Sequence, residues 1–77
     1  MTQHEIAAQF QRMADLLEFR GANPFRIRAY RRAAQNLESF GGDLERLAAA
    51  GRLRLLPGIG EDLAAKITEY LQTRRIR

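Results

Sequence analysis

The sequence predicts an all-α fold, a compact four-helix domain occupying residues 1–77. Three observations lead there. Apolar residues recur at three- and four-residue steps along most of the chain, and no segment alternates apolar with polar residues for long enough to make a strand. Glycine and proline fall between these periodic stretches rather than inside them. The chain is also short, and so small a domain buries only about 60% of the surface its unfolded form exposes. Helix packing is the economical way to build such a core.

Each helix carries its own signals. Thr2 and Glu5 have the spacing of a capping box, in which two side chains satisfy free amides at a helix start. Ile6, Phe10, Met13, Ala14 and Leu17 then form one apolar face, and Gly21 is a natural stop. Asn23-Pro24 starts the second helix, because Asn caps and Pro suits a first position whose N–H has no partner to lose. Ile27, Tyr30, Ala33, Ala34, Leu37 and Phe40 face its core, and Gly41-Gly42 ends it. Asp43 caps a short third helix with Leu44, Leu47 and Ala48 inward and Gly51 beyond its end. Leu53, Leu55 and Leu56 lead into Pro57-Gly58-Ile59-Gly60. A fourth helix is predicted from about Glu61 to Thr73, with Leu63, Ile67, Tyr70 and Leu71 on one face. Arg74-Arg75-Ile76-Arg77 carries no stop signal, and the chain reads as a domain cut from something longer.

Composition narrows the function. There is no cysteine, which excludes disulfides and thiolate metal sites, and the single histidine, His4, has no partner for a zinc site. MTQHEI lacks a basic segment followed by an apolar run, and no stretch approaches the roughly 18 apolar residues of a membrane span. The expectation is a soluble, intracellular, monomeric domain without a membrane partner. Thirteen basic residues against nine acidic ones give a net charge of +4, which on so small a body favours a polyanionic partner.

The stretch LPGIGEDLAAKI, residues 56–67, concentrates the chemistry. Glycine permits a tight turn and the close approach of another backbone. The first amides of the following helix lack intrahelical partners and, with the helix dipole behind them, suit an anion. Amides near Gly58 and Gly60 are therefore candidates to hold a phosphate. An ordinary turn is the commoner role of a Gly-x-Gly. Here, however, a leucine pair, PGIG and a helix with small and apolar residues at fixed steps resemble the helix-hairpin-helix motif, placed at about residues 44–73. Such motifs grip nucleic-acid backbones through contacts that position rather than specify. The resemblance also implies a monovalent cation, Na+ or K+, on the backbone carbonyls of Arg54, Leu56 and Ile59. Glu61 and Asp62 suit the first turn of a helix but repel phosphate.

The same stretch holds Lys66, the only lysine beside twelve arginines. A guanidinium stays protonated and cannot form a Schiff base, whereas a neutral lysine amine can attack an aldehyde. Helical geometry places Lys66 roughly 80° from the centre of the apolar stripe, at its edge. The plainer alternative is a surface pair with Asp62 or Glu69, worth a few tenths of a kcal/mol.

NPFRIRAYRRAAQNL together with LPGIGEDLAAKI resembles the N-terminal domain of family X DNA polymerases, the bacterial members especially, over nearly the whole chain. The resemblance implies binding to the 5′-phosphate side of gapped DNA in base excision repair. In some members it also implies removal of a 5′-deoxyribose phosphate by β-elimination. It places the nucleophile at Lys66, a sugar-positioning tyrosine at Tyr30, and phosphate-holding cations at Arg26 and Arg54. Arg31 adds positive charge, Phe25 stands where a base is stacked, and a cytoplasmic, nucleoid-associated setting follows. Departures are Asp62, at a position that is basic in the family pocket, and Arg74, where a glycine usually ends helix four. No aspartate cluster suits two-metal nucleotidyl transfer, so polymerisation would lie outside this chain. The alternatives are a non-catalytic helix-hairpin-helix DNA-binding module and a helical protein-interaction domain.

Overall fold

The computed structural model describes residues 2–73. Four α-helices follow one another: α1 (Thr2–Phe19), α2 (Pro24–Ser39), α3 (Leu44–Ala49) and α4 (Glu61–Thr73). A single 3-10 turn over Leu53–Leu55 precedes α4, and there is no strand among the described residues. The order α3, 3-10 turn, hairpin, α4 occupies the span expected for the helix-hairpin-helix. None of the helices is long and apolar enough to cross a membrane among the described residues. The stop-signal question at Arg74 to Arg77 lies outside them.

Local chemistry sets the helix ends. Asn23 Oδ1 accepts the Phe25 amide at 2.8 Å, with Pro24 opening α2. Asp43 Oδ1 accepts the Arg46 amide at 3.1 Å at the start of α3. After α1, the Ala22 amide reaches back to the Leu17 carbonyl at 2.9 Å and that of Gly21 to Glu18 at 3.0 Å. Gly21 takes φ 69° there, the left-handed geometry this double closure needs. Gly51 repeats the closure after α3.

Helices α1 and α2 run antiparallel and supply most of the core. Ile6, Phe10, Ala14, Ala33, Ala34 and Leu37 are fully buried between them and Ile67 of α4. Phe10 meets Tyr30 edge to face, with centroids 5.5 Å apart and planes at 74°, a favoured arrangement of aromatic quadrupoles. Gln3 is the buried polar exception. Its Nε2 donates to the carbonyls of Leu37 at 3.0 Å and Phe40 at 2.6 Å, satisfying the end of α2 from another helix. Tyr70 of α4 donates to Glu5 Oε2 at 2.9 Å and ties α4 to α1. That carboxylate is thus turned towards α4, although Glu5 sits at the capping-box spacing.

Candidate nucleic-acid interface

The hairpin is anchored by its apolar residues. Leu53, Leu56 and Ile59 are buried, so Pro57 and Gly58 are carried to the surface between fixed points. The Ile59 amide donates to the Leu56 carbonyl at 3.1 Å and closes the turn. Gly58 has φ 79°, and a Cβ there would lie 3.0 Å from Asn36 Nδ2 and 3.5 Å from Arg32 Cγ. The Asn36 side-chain amide donates to the Pro57 carbonyl, docking the hairpin on α2. Gly58 is therefore favoured by conformation, and a Cβ there would also press on the end of the Asn36 side chain. At Gly60 a Cβ would meet nothing within 4 Å and the backbone is outside the left-handed region, so neither demand applies. Gly58→Ala is expected to lower the melting temperature by about 4–16 °C, from roughly 1–2 kcal/mol of left-handed strain in a domain this size. Thermal melts followed by circular dichroism measure it, and Gly60→Ala is expected to melt within a few degrees of wild type.

Both glycines are exposed, and the amides around them are unspent. No acceptor among the described residues bonds the main-chain N–H of Gly58, Gly60, Glu61 or Asp62. Two neighbouring carbonyls, of Arg54 and Ile59, receive no main-chain amide, whereas that of Leu56 accepts Ile59. The donors suit phosphate oxygens. Carbonyl oxygens without an amide partner keep their acceptor capacity, and Leu56 retains a second lone pair.

Helix α2 supplies cations on two faces. Phe25, Arg28, Ala29, Arg31, Arg32 and Gln35 join Gly58 in an open concavity of about 670 Å³, and no carboxylate lines it. Phe25 is 73% exposed, with the Arg28 guanidinium 4.8 Å from its ring centroid. One face of the ring is thus already covered by a cation. Arg31 is engaged elsewhere: its guanidinium donates to Gln11 at 3.1 Å, Asp15 at 3.0 Å and Glu18 at 3.3 Å across the α1–α2 seam. Its positive charge is largely answered by α1. Arg26, Arg28, Arg32 and Arg54 pair with no carboxylate among the described residues.

Arg26 and Tyr30 lie about 160° around α2 from that concavity, at 100° per residue. They share a smaller cavity of about 150 Å³ with Met13, Leu16, Leu17 and Arg20 of α1 and the turn after it. Tyr30 is 2% exposed, and its hydroxyl is buried without a hydrogen-bond partner. Such a group is costly unless something else satisfies it. Lys66 lines neither cavity. Its side chain is 22% exposed, and Nζ lies 3.9 Å from Asp62 Oδ1, a long contact to a carboxylate that is itself 77% exposed. That exposure makes the pair weak. The structure thus brings Arg26 to Tyr30, and Phe25 and Arg31 to Gly58. Arg54 and Lys66 stand apart from both groups.

The sequence pointed to Phe25, Arg26, Tyr30 and Arg31 of α2, but not to Arg28, Arg32 or Asn36. A signal was present: Phe25, Arg28, Arg32 and Asn36 are spaced by three and four residues and share one face.

A small all-α body with a glycine hairpin, free amides and unpaired arginines is the make-up of a DNA-binding module. The chain belongs to the helix-hairpin-helix domain family, whose model matches residues 1–76. No curated protein matches the chain.

Proposed function

We propose that this domain binds the 5′-phosphate side of a gap or nick in DNA, as the N-terminal domain of a family X DNA polymerase acting in base excision repair. The observation that carries the reading is the cavity shared by Arg26 and Tyr30, with its unpartnered phenol. A guanidinium lining this cavity suits a terminal phosphate, and the unsatisfied hydroxyl of Tyr30 is the polar group to hold a sugar once the site is occupied. The free amides at Gly58 and Gly60 hold a neighbouring phosphate, and Arg54, exposed one turn earlier, adds charge. Lys66 then serves as the amine that forms a Schiff base with a 5′-deoxyribose phosphate. The second reading, a non-catalytic DNA-binding module, is favoured by the Lys66–Asp62 contact and by the absence of Lys66 from either cavity lining.

Fluorescence anisotropy on gapped duplexes that differ only in a 5′-phosphate or 5′-hydroxyl tests the reading. A charge-assisted contact worth about 1.5–3 kcal/mol corresponds to a roughly 10- to 150-fold preference for the phosphate. Arg26→Ala is expected to remove most of that preference while keeping the fold, since Arg26 is exposed. Equal affinity of the wild type for both duplexes would overturn the assignment.

In this reading the carbonyls of Arg54, Leu56 and Ile59 hold a Na+ or K+ that bridges to phosphate, two of them being free of main-chain amides. Replacing these cations with tetramethylammonium at constant ionic strength is expected to weaken binding severalfold. Unchanged affinity would remove the cation from the proposal.

A further inference from the structure

A 5′-phosphate would use a cation of the Arg26–Tyr30 cavity and leave its apolar wall without a role. Met13, Leu16, Leu17 and Arg20 recur at three- and four-residue steps, so α1 and the turn after it present one side to this cavity. Leu16 is 53% exposed, and Phe19, one turn further on, is 91% exposed. Two large apolar side chains in water beside an apolar wall form a patch rather than a scattering. The charge around it is one-sided. Arg20 and Arg26 line the cavity and pair with no carboxylate among the described residues. The acidic residues on this part of α1, Asp15 and Glu18, already face Arg31 at 3.0 and 3.3 Å.

We propose that this patch docks an acidic peptide segment of a partner protein. An apolar side chain of the segment enters the cavity, its carboxylates meet Arg20 and Arg26, and its remainder covers Leu16 and Phe19. Charge complementarity selects this occupant. A purely apolar segment would desolvate two guanidinium groups without pairing them, whereas carboxylates match the guanidinium fork. Nucleic acid would answer the arginines but leave Leu16 and Phe19 in water. A second copy of the chain carries the same net charge of +4 and is repelled. At about 150 Å³ the cavity is smaller than the roughly 300–1,000 Å³ of small-molecule pockets and takes a single side chain. A peptide offers one, and a flat anionic bilayer does not. Arg26 is common to this surface and to the 5′-phosphate site proposed above, so docking and end binding exclude one another.

Anisotropy of a labelled acidic peptide with a single phenylalanine tests this against the same peptide with serine in its place. The phenylalanine form is expected to bind roughly 10- to 150-fold more tightly, the effect of burying one large apolar side chain. Phe19→Ser is expected to weaken that peptide about 3- to 10-fold, for a ring partly covered. Arg20→Ala is expected to weaken both peptides about 1.5- to 5-fold, the range of an exposed ion pair. Melts of both variants should stay close to wild type, since both side chains are exposed. A lower melting temperature with unchanged peptide affinity in Arg20→Ala would confine Arg20 to the dipole at the end of α1 and overturn the pairing. Equal affinity for the two peptides, or wild-type affinity in Phe19→Ser, would reduce binding to charge alone and overturn the docking. The chain contains no tryptophan, so Phe19→Trp is a clean reporter. Its emission is expected to shift to the blue with the phenylalanine peptide and to stay unshifted with gapped DNA bearing a 5′-hydroxyl. A blue shift with phosphatidylserine vesicles and none with the peptide would assign the patch to a bilayer instead. None of these probes carries a 5′-phosphate, so this result and the 5′-phosphate preference fail or succeed separately.

Discussion

Phe10→Ala is expected to remove a large share of the domain's stability. Phe10 is fully buried where α1 crosses α2, with its ring against Tyr30. Truncating a buried phenylalanine costs about 3–5 kcal/mol in lost burial and residual cavity. A chain of this length has a total stability on the order of 4–12 kcal/mol. The substitution therefore removes a large share of it, and Tyr30 loses the neighbour that fixes its ring. Urea titration followed by helical circular dichroism should show a much lower midpoint, and DNA affinity should fall in proportion to the folded fraction. A midpoint close to wild type would mean that the α1–α2 interface collapses around the gap, and that the core is less tightly specified than its burial implies. Phe25→Ala is the matching control, since that ring lies outside the core.

The contrast between these two phenylalanines shows what the sequence could convey. Helix ends were legible because their chemistry is local: Asn23 and Asp43 cap amides two or three residues away, and Gly21 and Gly51 close the turns just behind them. The apolar stripes of α1, α2 and α4 were legible for the same reason, since periodicity is a property of one helix. Contacts between helices carried no such signal. Gln3 reaches the carbonyls at the end of α2 across 34 and 37 positions, and Asn36 reaches Pro57 across 21. Glu5, expected in a capping box, is turned to Tyr70, 65 positions away. Arg31, expected as added positive charge for DNA, meets Asp15 and Glu18 because the antiparallel packing of α1 and α2 sets them opposite. The two glycines of the hairpin look alike in sequence, yet only Gly58 takes the left-handed backbone and lies against Asn36 and Arg32. Fold and motif could thus be read from spacing, whereas the division of labour among the arginines required the packed helices.

Lys66→Arg is expected to abolish the covalent trapping of DNA that carries a 5′-deoxyribose phosphate, while leaving its binding close to wild type. In the proposed step Nζ of a neutral Lys66 attacks C1′ of the open aldehyde, and water leaves as the imine forms. Borohydride reduces the C=N bond to a stable secondary amine. Loss of a C2′ proton from the unreduced imine expels the 3′-phosphate, so trapping and strand release share one intermediate. Arginine keeps the positive charge but is too weak a nucleophile for this chemistry, so the variant separates electrostatic attraction from covalent reactivity. The contrast is sharp because the chain has no second lysine, and the N-terminal amine is the sole competing amine. With the nucleophile removed, adduct yield is expected to fall by at least about 100-fold, the lower range for loss of a positioned catalytic group. The Lys66–Asp62 contact adds a further requirement, because the ammonium must leave the carboxylate and give up a proton before it can attack. Asp62→Asn removes that charge, along with a repulsion towards incoming phosphate, and is expected to raise both affinity and trapping rate. Equal adduct yields from wild type and Lys66→Arg would assign the amine to the N-terminus and leave the hairpin, the arginines and the two faces of α2 as a binding module without lyase chemistry.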